Sequence, residues 1–264
     1  MRPASITLTD AMAARSESSG IPENQSGWEG RARDLGLLDA LATTRAIRRF
    51  RPDPIPEPDL ARILWSATRA PSASNLQPLR FVVLRDGPRA RSARSALSQG
   101  FRYSWDEMRS RTGYDRAPPD SRAARVSAAM DAFVDQIAMA PVIVLAVAKP
   151  GRRCHWIVTD GSSIYPALQN LLLAARALGY GGVLSMWHQP VADELNEILS
   201  IPPDYSILAT VPLGRPEGRH GPVRRLPLPE VVFEDAWEQP PSWAVDPPGS
   251  RFTRVSSRVP ESCP

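Results

Sequence analysis

Three arginines, Arg45, Arg48 and Arg49, crowd the segment T-R-A-I-R-R-F at 44–50. A guanidinium is planar, permanently charged and presents paired N–H groups that match two phosphate oxygens at once. About 30 residues on, A-P-S-A-S-N-L-Q-P-L-R-F gathers Ser72, Ser74, Asn75 and Gln77 just before an apolar run. Amide side chains offer both donor and acceptor, which suits the edge of a heterocycle. A phosphate handle followed by an amide cluster points to a phosphorylated, ring-bearing cofactor. Each cluster has a plainer reading: a basic helix end favoured by the macrodipole for the arginines, and a turn for Asn75 and its serines.

Other reactive residues make weaker patterns. Cys154 and His155 are adjacent, but no second Cys or His follows at ligand spacing, so neither a metal site nor a thiol nucleophile is expected. His188 and His220 stand singly in loop-like sequence. His188 is a candidate for lining a cofactor pocket, with packing as the alternative. G-Y-G-G at 179–182 follows a helical pattern rather than a strand, which argues against a dinucleotide fingerprint.

Composition narrows the classes. The chain has 264 residues, 42% of them hydrophobic, enough for one substantial core. No apolar run approaches the length of a membrane span, and residues 1–10 lack an apolar signal region. Two widely separated cysteines give no disulfide framework, so a cytoplasmic location is expected. The net charge is +4, and Lys149 is the only lysine. Arginine-rich coding explains that bias, and only the 45–51 segment resembles a nucleic-acid-binding run, so no nucleic-acid partner is expected.

The elements that must position these residues can be read from periodicity and breakers. Residues 1–33 read as a flexible N-terminal arm, 34–238 as the folded domain and 239–264 as a Pro-rich tail that is either disordered or an extended strap. Helices are expected at 35–43 (capped by Asp34), 56–70, 88–99, 122–139, 161–178 (capped by Asp160) and 191–199. Strands are expected at 79–85, 141–148, 182–187 and 205–213. Segment 100–121 reads as irregular; its Phe101, Tyr103, Trp105 and Tyr114 form either a lid or a packed excursion. Helices alternating with four apolar strands give an α+β fold with helices on both faces of the sheet.

Four blocks carry a family resemblance: T-R-A-I-R-R-F at 44–50, A-P-S-A-S-N-L-Q-P-L-R-F at 70–81, Y-P-A-L-Q-N-L-L-L-A-A-R-A-L-G-Y-G at 165–181, and V-P-L-G-R-P through G-P-V-R-R-L-P-L at 211–228. In order and spacing they resemble the nitroreductase family, whose members are FMN-dependent homodimeric oxidoreductases. The resemblance implies a three-layer α/β/α sandwich on a mainly antiparallel sheet. It implies FMN as cofactor, NAD(P)H as reductant and a small-molecule electron acceptor such as a nitroaromatic or quinone, with ping-pong chemistry at flavin N5 and no catalytic side chain. A flavin-dependent dehydrogenase, an oxygen-activating relative and a non-catalytic flavin-binding protein are the alternatives.

By the same resemblance, Arg45, Ala46 and Arg49 fall at the flavin phosphate, and Arg48 at the N1/O2 edge, where negative charge builds on reduction. Ser72, Asn75 and Gln77 match the loop at the pyrimidine edge. Leu184, Ser185 and Met186 match backbone N–H donors toward N5, and Arg224 and Arg225 a late basic pair reaching the phosphate. The chain departs from the family pattern at Thr44, where an arginine is common, and at Ala46, where a serine hydroxyl is common.

Overall fold

The computed structural model describes residues 35–149 and 158–253. In chain order the elements are α1 (Leu37–Thr43), α2 (Glu57–Ala67), β1 (Leu79–Leu84), α3 (Pro88–Thr112), α4 (Arg122–Gln136), β2 (Val142–Ala148), α5 (Tyr165–Ala177), β3 (Gly181–Gly182), α6 (Ala192–Leu199), β4 (Ser206–Gly214), β5 (Arg224–Arg225) and β6 (Arg251–Phe252). The main sheet has the order β1-β2-β4-β3, and every pairing in it is antiparallel.

Strand β2 is buried along its whole length, and its alternate side chains feed two cores. Val142, Val144, Ala146 and Ala148 join Leu60, Ile63 and Ala67 of α2 and Leu168, Leu171 and Ala175 of α5. Ile143, Leu145 and Val147 join Leu97, Phe101 and Trp105 of α3, Phe133 and Val134 of α4 and Leu195 of α6. The period of two that makes a strand sends neighbours to opposite faces, so a strand apolar throughout requires a helical layer on each side. Each large side chain so buried contributes about 1.5–3 kcal/mol. The fold is therefore the expected α+β sandwich. A register shift between Ala146 and Val147 interrupts the β2–β4 ladder. It explains why Ile207 and Ala209, two residues apart on β4, feed opposite cores.

Several boundaries moved. Helix α3 does not stop at Gln99; it runs unbroken to Thr112, where Gly113 closes it at φ 73°. Gly100 is there for contact rather than termination: a Cβ would lie 2.7 Å from Val191 Cγ2 and 3.1 Å from the Trp187 carbonyl. Of the aromatics of 100–121, Phe101 and Trp105 are consequently core and Tyr114 packs against it, while Tyr103 is exposed and donates to Glu107. Phe101 and Trp105 are almost wholly buried. Phe101 meets Phe133 and Trp187 edge-on at 5.8 Å, and Trp105 stacks on Trp187 at 6.2 Å. Helix α1 begins at Leu37 with Gly36 at its N-cap. Helix α5 begins at Tyr165, after a 3₁₀ segment over Val158–Ser163 that occupies the expected first turn. The strand expected at 182–187 shrinks to Gly181–Gly182 plus one bridge between Ser185 and Thr210.

Arg94, given no role by the sequence, staples one end of the sheet. Its guanidinium donates to the carbonyls of Leu84, Arg85, Ala138, Ala140 and Pro141 at 2.7–3.3 Å. Burial pushes its pKa down, partly opposed by Asp86; five carbonyl acceptors offset the loss of water. Beyond 238 the chain folds back on what precedes it. β6 pairs with β5 in parallel, Asp246 accepts from the Leu228 N–H at 3.0 Å, and Ala244 is buried.

Candidate cofactor site

The arginine segment has no ladder of its own, yet three backbone hydrogen bonds pin it, two of them forming the bridge between Phe50 and Pro216. Ile47 N–H donates to the Gly182 carbonyl at 2.9 Å and Arg51 N–H to the Arg215 carbonyl at 2.8 Å. Glu217 N–H donates to the Arg49 carbonyl, and Phe50 bridges Pro216. The block at 44–50 is thus laid across the ends of β3 and β4. Close approach needs the glycines there: a Cβ on Gly181 would sit 2.5 Å from Ile47 Cγ1, and one on Gly214 3.0 Å from Phe50. Ile47 is buried as the anchor, which turns its neighbours Arg45, Ala46, Arg48 and Arg49 outward.

The arginines differ in setting. The Arg48 guanidinium lies over the Phe133 ring at 5.9 Å. Loss of solvent there, and then the charge of Arg45, hold its pKa below the ordinary arginine value. Such a cation is short of counter-charge and well placed to receive an anion. Arg49 has a long ion pair with Glu217 at 3.9 Å, both side chains well exposed, so little stability is bound up in it.

Beside this segment, Ser185 exchanges both backbone hydrogen bonds with Thr210, at 2.9 and 2.8 Å. The Ser185 N–H is therefore already engaged. Among the described residues no acceptor faces the N–H of Leu184 or Met186, and Met186 is exposed. Arg224 and Arg225 are exposed on β5. Val223 N–H donates to the Ala42 carbonyl at 3.0 Å, which brings this pair beside the start of the first arginine block.

The amide loop is built separately. Ser74, Asn75 and Gln77 all have positive φ, at 50°, 53° and 47°. Non-glycine residues in that region cost of order 1–3 kcal/mol each, and such clusters persist where surrounding bonds enforce them. Here Ala73 N–H donates to Ser163 Oγ at 3.1 Å and Gln77 N–H to Ser72 Oγ at 3.0 Å. Gln77 Nε2 also donates to Asn75 Oδ1 at 3.1 Å, so the two amides act as one exposed unit. Ser72 and Gln77 border a pocket of about 170 Å³ shared with α2, β1 and Ser163.

One chain does not bring the amide loop to the arginines. The loop precedes Leu79, which pairs with Ala148 at one end of β2. The arginine segment sits beside Gly182 and Arg215, at the end where Val142 pairs with Leu213. Six strand residues at about 3.4 Å each separate those ends by about 20 Å. β1 and β3 also lie at opposite edges of the sheet. The segment of Arg45, Ala46, Arg48 and Arg49 lies beside β3, which Leu184 and Met186 follow in the chain. Val223, next to Arg224 and Arg225, bonds Ala42 just before that segment; Ser72, Asn75 and Gln77 stand at the other end of the sheet.

The remaining candidates resolve simply. His188 is 1% exposed and its Nε2 pairs with the Ile207 carbonyl at 2.9 Å, a packing role. Burial lowers its pKa, with the carbonyl bond opposing. Cys154, His155 and the side chain of Asp160 lie outside the described residues. Among the described residues no group of three His, Cys, Asp or Glu could hold a metal ion, and no helix is long and apolar enough to cross a membrane.

The antiparallel sheet between helical layers, with basic and amide blocks at its two ends, defines a class. The sequence matches the nitroreductase family profile over residues 41–215. The chain belongs to the nitroreductase family, whose members are oxidoreductases. It is 35% identical over 205 residues to an NADH dehydrogenase of Thermus thermophilus, covering 75% of this chain and 97% of that one. It is 30% identical over 208 residues to a 5,6-dimethylbenzimidazole synthase of Rhodospirillum rubrum, covering 74% and 86%. Among solved structures, an FMN and NADPH-dependent nitroreductase of Sphigopyxis sp. shares the fold, with a TM-score of 0.59, 21% identity and coverage of 77% and 100%.

Proposed function

We propose that this protein is an FMN-dependent oxidoreductase that works as a homodimer, takes a hydride from NAD(P)H and reduces a small acceptor such as a nitroaromatic, a quinone or an unsaturated carbonyl compound. The observation that carries this reading is the divided site: the arginines and the amides that suit one phosphorylated heterocycle stand about 20 Å apart in a single chain. Two copies related by a two-fold axis can set the arginines of one against the amides of the other, twice over. An exposed apolar face on α1, formed by Leu37, Leu38 and Leu41, supports such an association.

The donor set fits FMN. Arg45 and the Arg224–Arg225 pair would hold the phosphate, Arg48 the N1/O2 edge, and Asn75 with Gln77 from the second copy the pyrimidine edge. Gly181 keeps the space beside Ile47 free of a Cβ, so the arginine segment can lie close to β3. FMN, when bound, supplies hydride acceptance and delivery at N5. The chain's own part is positional and electrostatic. Arg48, already poor in solvation, places a fixed positive charge where reduction adds negative charge. The Met186 N–H offers a hydrogen bond at the ring. Thr44 brings no charge and its hydroxyl donates to the Ala40 carbonyl at 2.6 Å, and Ala46 has no hydroxyl, which throws the phosphate affinity onto the arginines.

The test is direct. Purified protein should absorb in the blue and bleach anaerobically with NADH or NADPH, and a nitroaromatic or quinone should restore the colour. Colourless protein that takes up no added FMN would falsify the reading. A second reading, with dioxygen as acceptor, is favoured by the similarity to a 5,6-dimethylbenzimidazole synthase. Admitting air to bleached protein separates the two: full return of the FMN spectrum supports ordinary turnover, and permanent loss of the flavin supports the second.

A further inference from the structure

A cavity of about 520 Å³ opens beside the last turn of α5 and the loop after β4. Among the described residues, four arginines (Arg51, Arg176, Arg215 and Arg219) and His220 line it, the rest of its wall is glycine and proline, and no carboxylate borders it. It adjoins the candidate cofactor site, since Arg51 continues the arginine segment and the charge of Arg45 reaches His220, but it does not contain Arg48. Arg176 belongs to α5, on the face of the sheet that carries Val144 and Leu213, whereas Arg48 rests on Phe133 of α4, on the other face. We propose that this cavity is a second anion site, which takes a small, multiply charged phosphate compound independently of any flavin.

Three of the guanidiniums are held in place by the fold. Arg215 lies 4.7 Å over the Tyr180 ring and donates to the Tyr180 hydroxyl at 3.3 Å. That hydroxyl donates in turn to Asp59 at 2.6 Å. Arg176 Nε donates to Thr43 Oγ1 at 3.2 Å, and Arg51 pairs with Asp53 at 2.8 Å. Side chains fixed before binding lose less entropy on binding, and guanidinium forks grip phosphate oxygens in pairs. A volume of this size suits a small ligand. Gathering four like charges around one cavity is unfavourable, and an anion relieves it.

The field is visible at His220. Its Nε2 donates to the Tyr180 carbonyl at 3.1 Å, while burial and then the charges of Arg176 and Arg45 lower its pKa. The end of α5 opposes an anion, but with only about half a negative charge, and one of the four guanidiniums, that of Arg51, is offset by the Asp53 carboxylate at 2.8 Å.

Calorimetric titration of full-length, FMN-saturated protein with sodium pyrophosphate at low ionic strength tests the proposal. Saturable binding is expected, weakened about tenfold or more by Arg219→Gln and by Arg215→Gln, and changed by less than about twofold by Arg48→Ala. Arg215→Lys serves if the glutamine variant does not fold; a point charge in place of the fork should still weaken binding. Absence of saturable binding overturns the site. So does binding that Arg48→Ala abolishes while Arg215→Gln and Arg219→Gln leave it intact. Competition by ADP identifies a nucleotide as the source of the phosphate, and competition by orthophosphate alone identifies a free phosphate; each supports the site. If the protein takes up no FMN, the same titration of the flavin-free chain still decides, because an Arg224→Gln/Arg225→Gln arm, at the phosphate end of the flavin site, separates the two basic clusters.

Discussion

Arg48 holds its charge over an aromatic ring and beside a second arginine, with its solvation reduced by partial burial. A hydrogen bond to a charged group is worth about 1.5–3 kcal/mol, so Arg48→Ala should weaken FMN binding about tenfold to a hundredfold. The same substitution should lower the reduction potential of whatever flavin remains, because the fixed charge beside the N1/O2 edge is gone. Equilibrium dialysis and a potentiometric titration measure the two effects. A variant with unaltered occupancy and potential would remove Arg48 from the site.

His188 predicts a pH dependence with a definite sign. Its folded pKa lies below the unfolded value of about 6.5, so between those two values the unfolded chain binds more protons. Stability should be fully present above about pH 6.5 and fall as the pH drops toward the folded pKa. The slope for one proton is at most about 1.4 kcal/mol per pH unit. His188→Gln should flatten the dependence just below about pH 6.5 in denaturant titrations; an unchanged slope would show that other groups dominate there.

At the scale of elements, Gly100 sits inside α3 with Val191 and the Trp187 carbonyl pressed against it. Alanine would add about 1 kcal/mol of helix propensity at that position. It would also place a methyl group 2.7 Å from Val191 Cγ2 and 3.1 Å from a backbone oxygen. Overpacking of this kind costs about 1–3 kcal/mol, and the carbonyl cannot swing aside as a side-chain end can. Steric cost should win, so Gly100→Ala should destabilise the fold in urea. Gly100→Ala/Val191→Ala should lose less than the two single changes added together, because the second relieves the first. A stabilised single variant would refute the contact.

The whole-molecule prediction concerns the divided site. Arg48→Ala and Asn75→Ala chains should each bind FMN poorly alone. Co-refolded in equal amounts, they should recover about a quarter of the wild-type occupancy. Half of the random dimers are then mixed, and each mixed dimer carries one intact site and one doubly altered site. FMN retained per chain after gel filtration reads the outcome. No recovery would mean that the arginines and amides do not serve one ligand from two subunits.

Patterns local in sequence were legible without coordinates. The apolar run of β2, the spacing of Leu60, Ile63 and Ala67 on α2, and the glycine ending α5 each follow from local stereochemistry. The 44–50 and 70–81 blocks were legible too, because a phosphate-binding fork and an amide cluster are properties of residue type and spacing. What the chain could not disclose was long-range. Gly100 looks like a helix breaker until Val191 and Trp187 arrive against it from about ninety residues away. Arg94 looks like one more surface arginine until carbonyls from two segments, 84–85 and 138–141, converge on it. Packing alone decided that Ser185 would spend its N–H on Thr210. It also separated the arginines and the amides to opposite ends and edges of one sheet, and turned four scattered arginines toward a common cavity. Strand pairing and helix docking set those distances, and neither depends on neighbours along the chain.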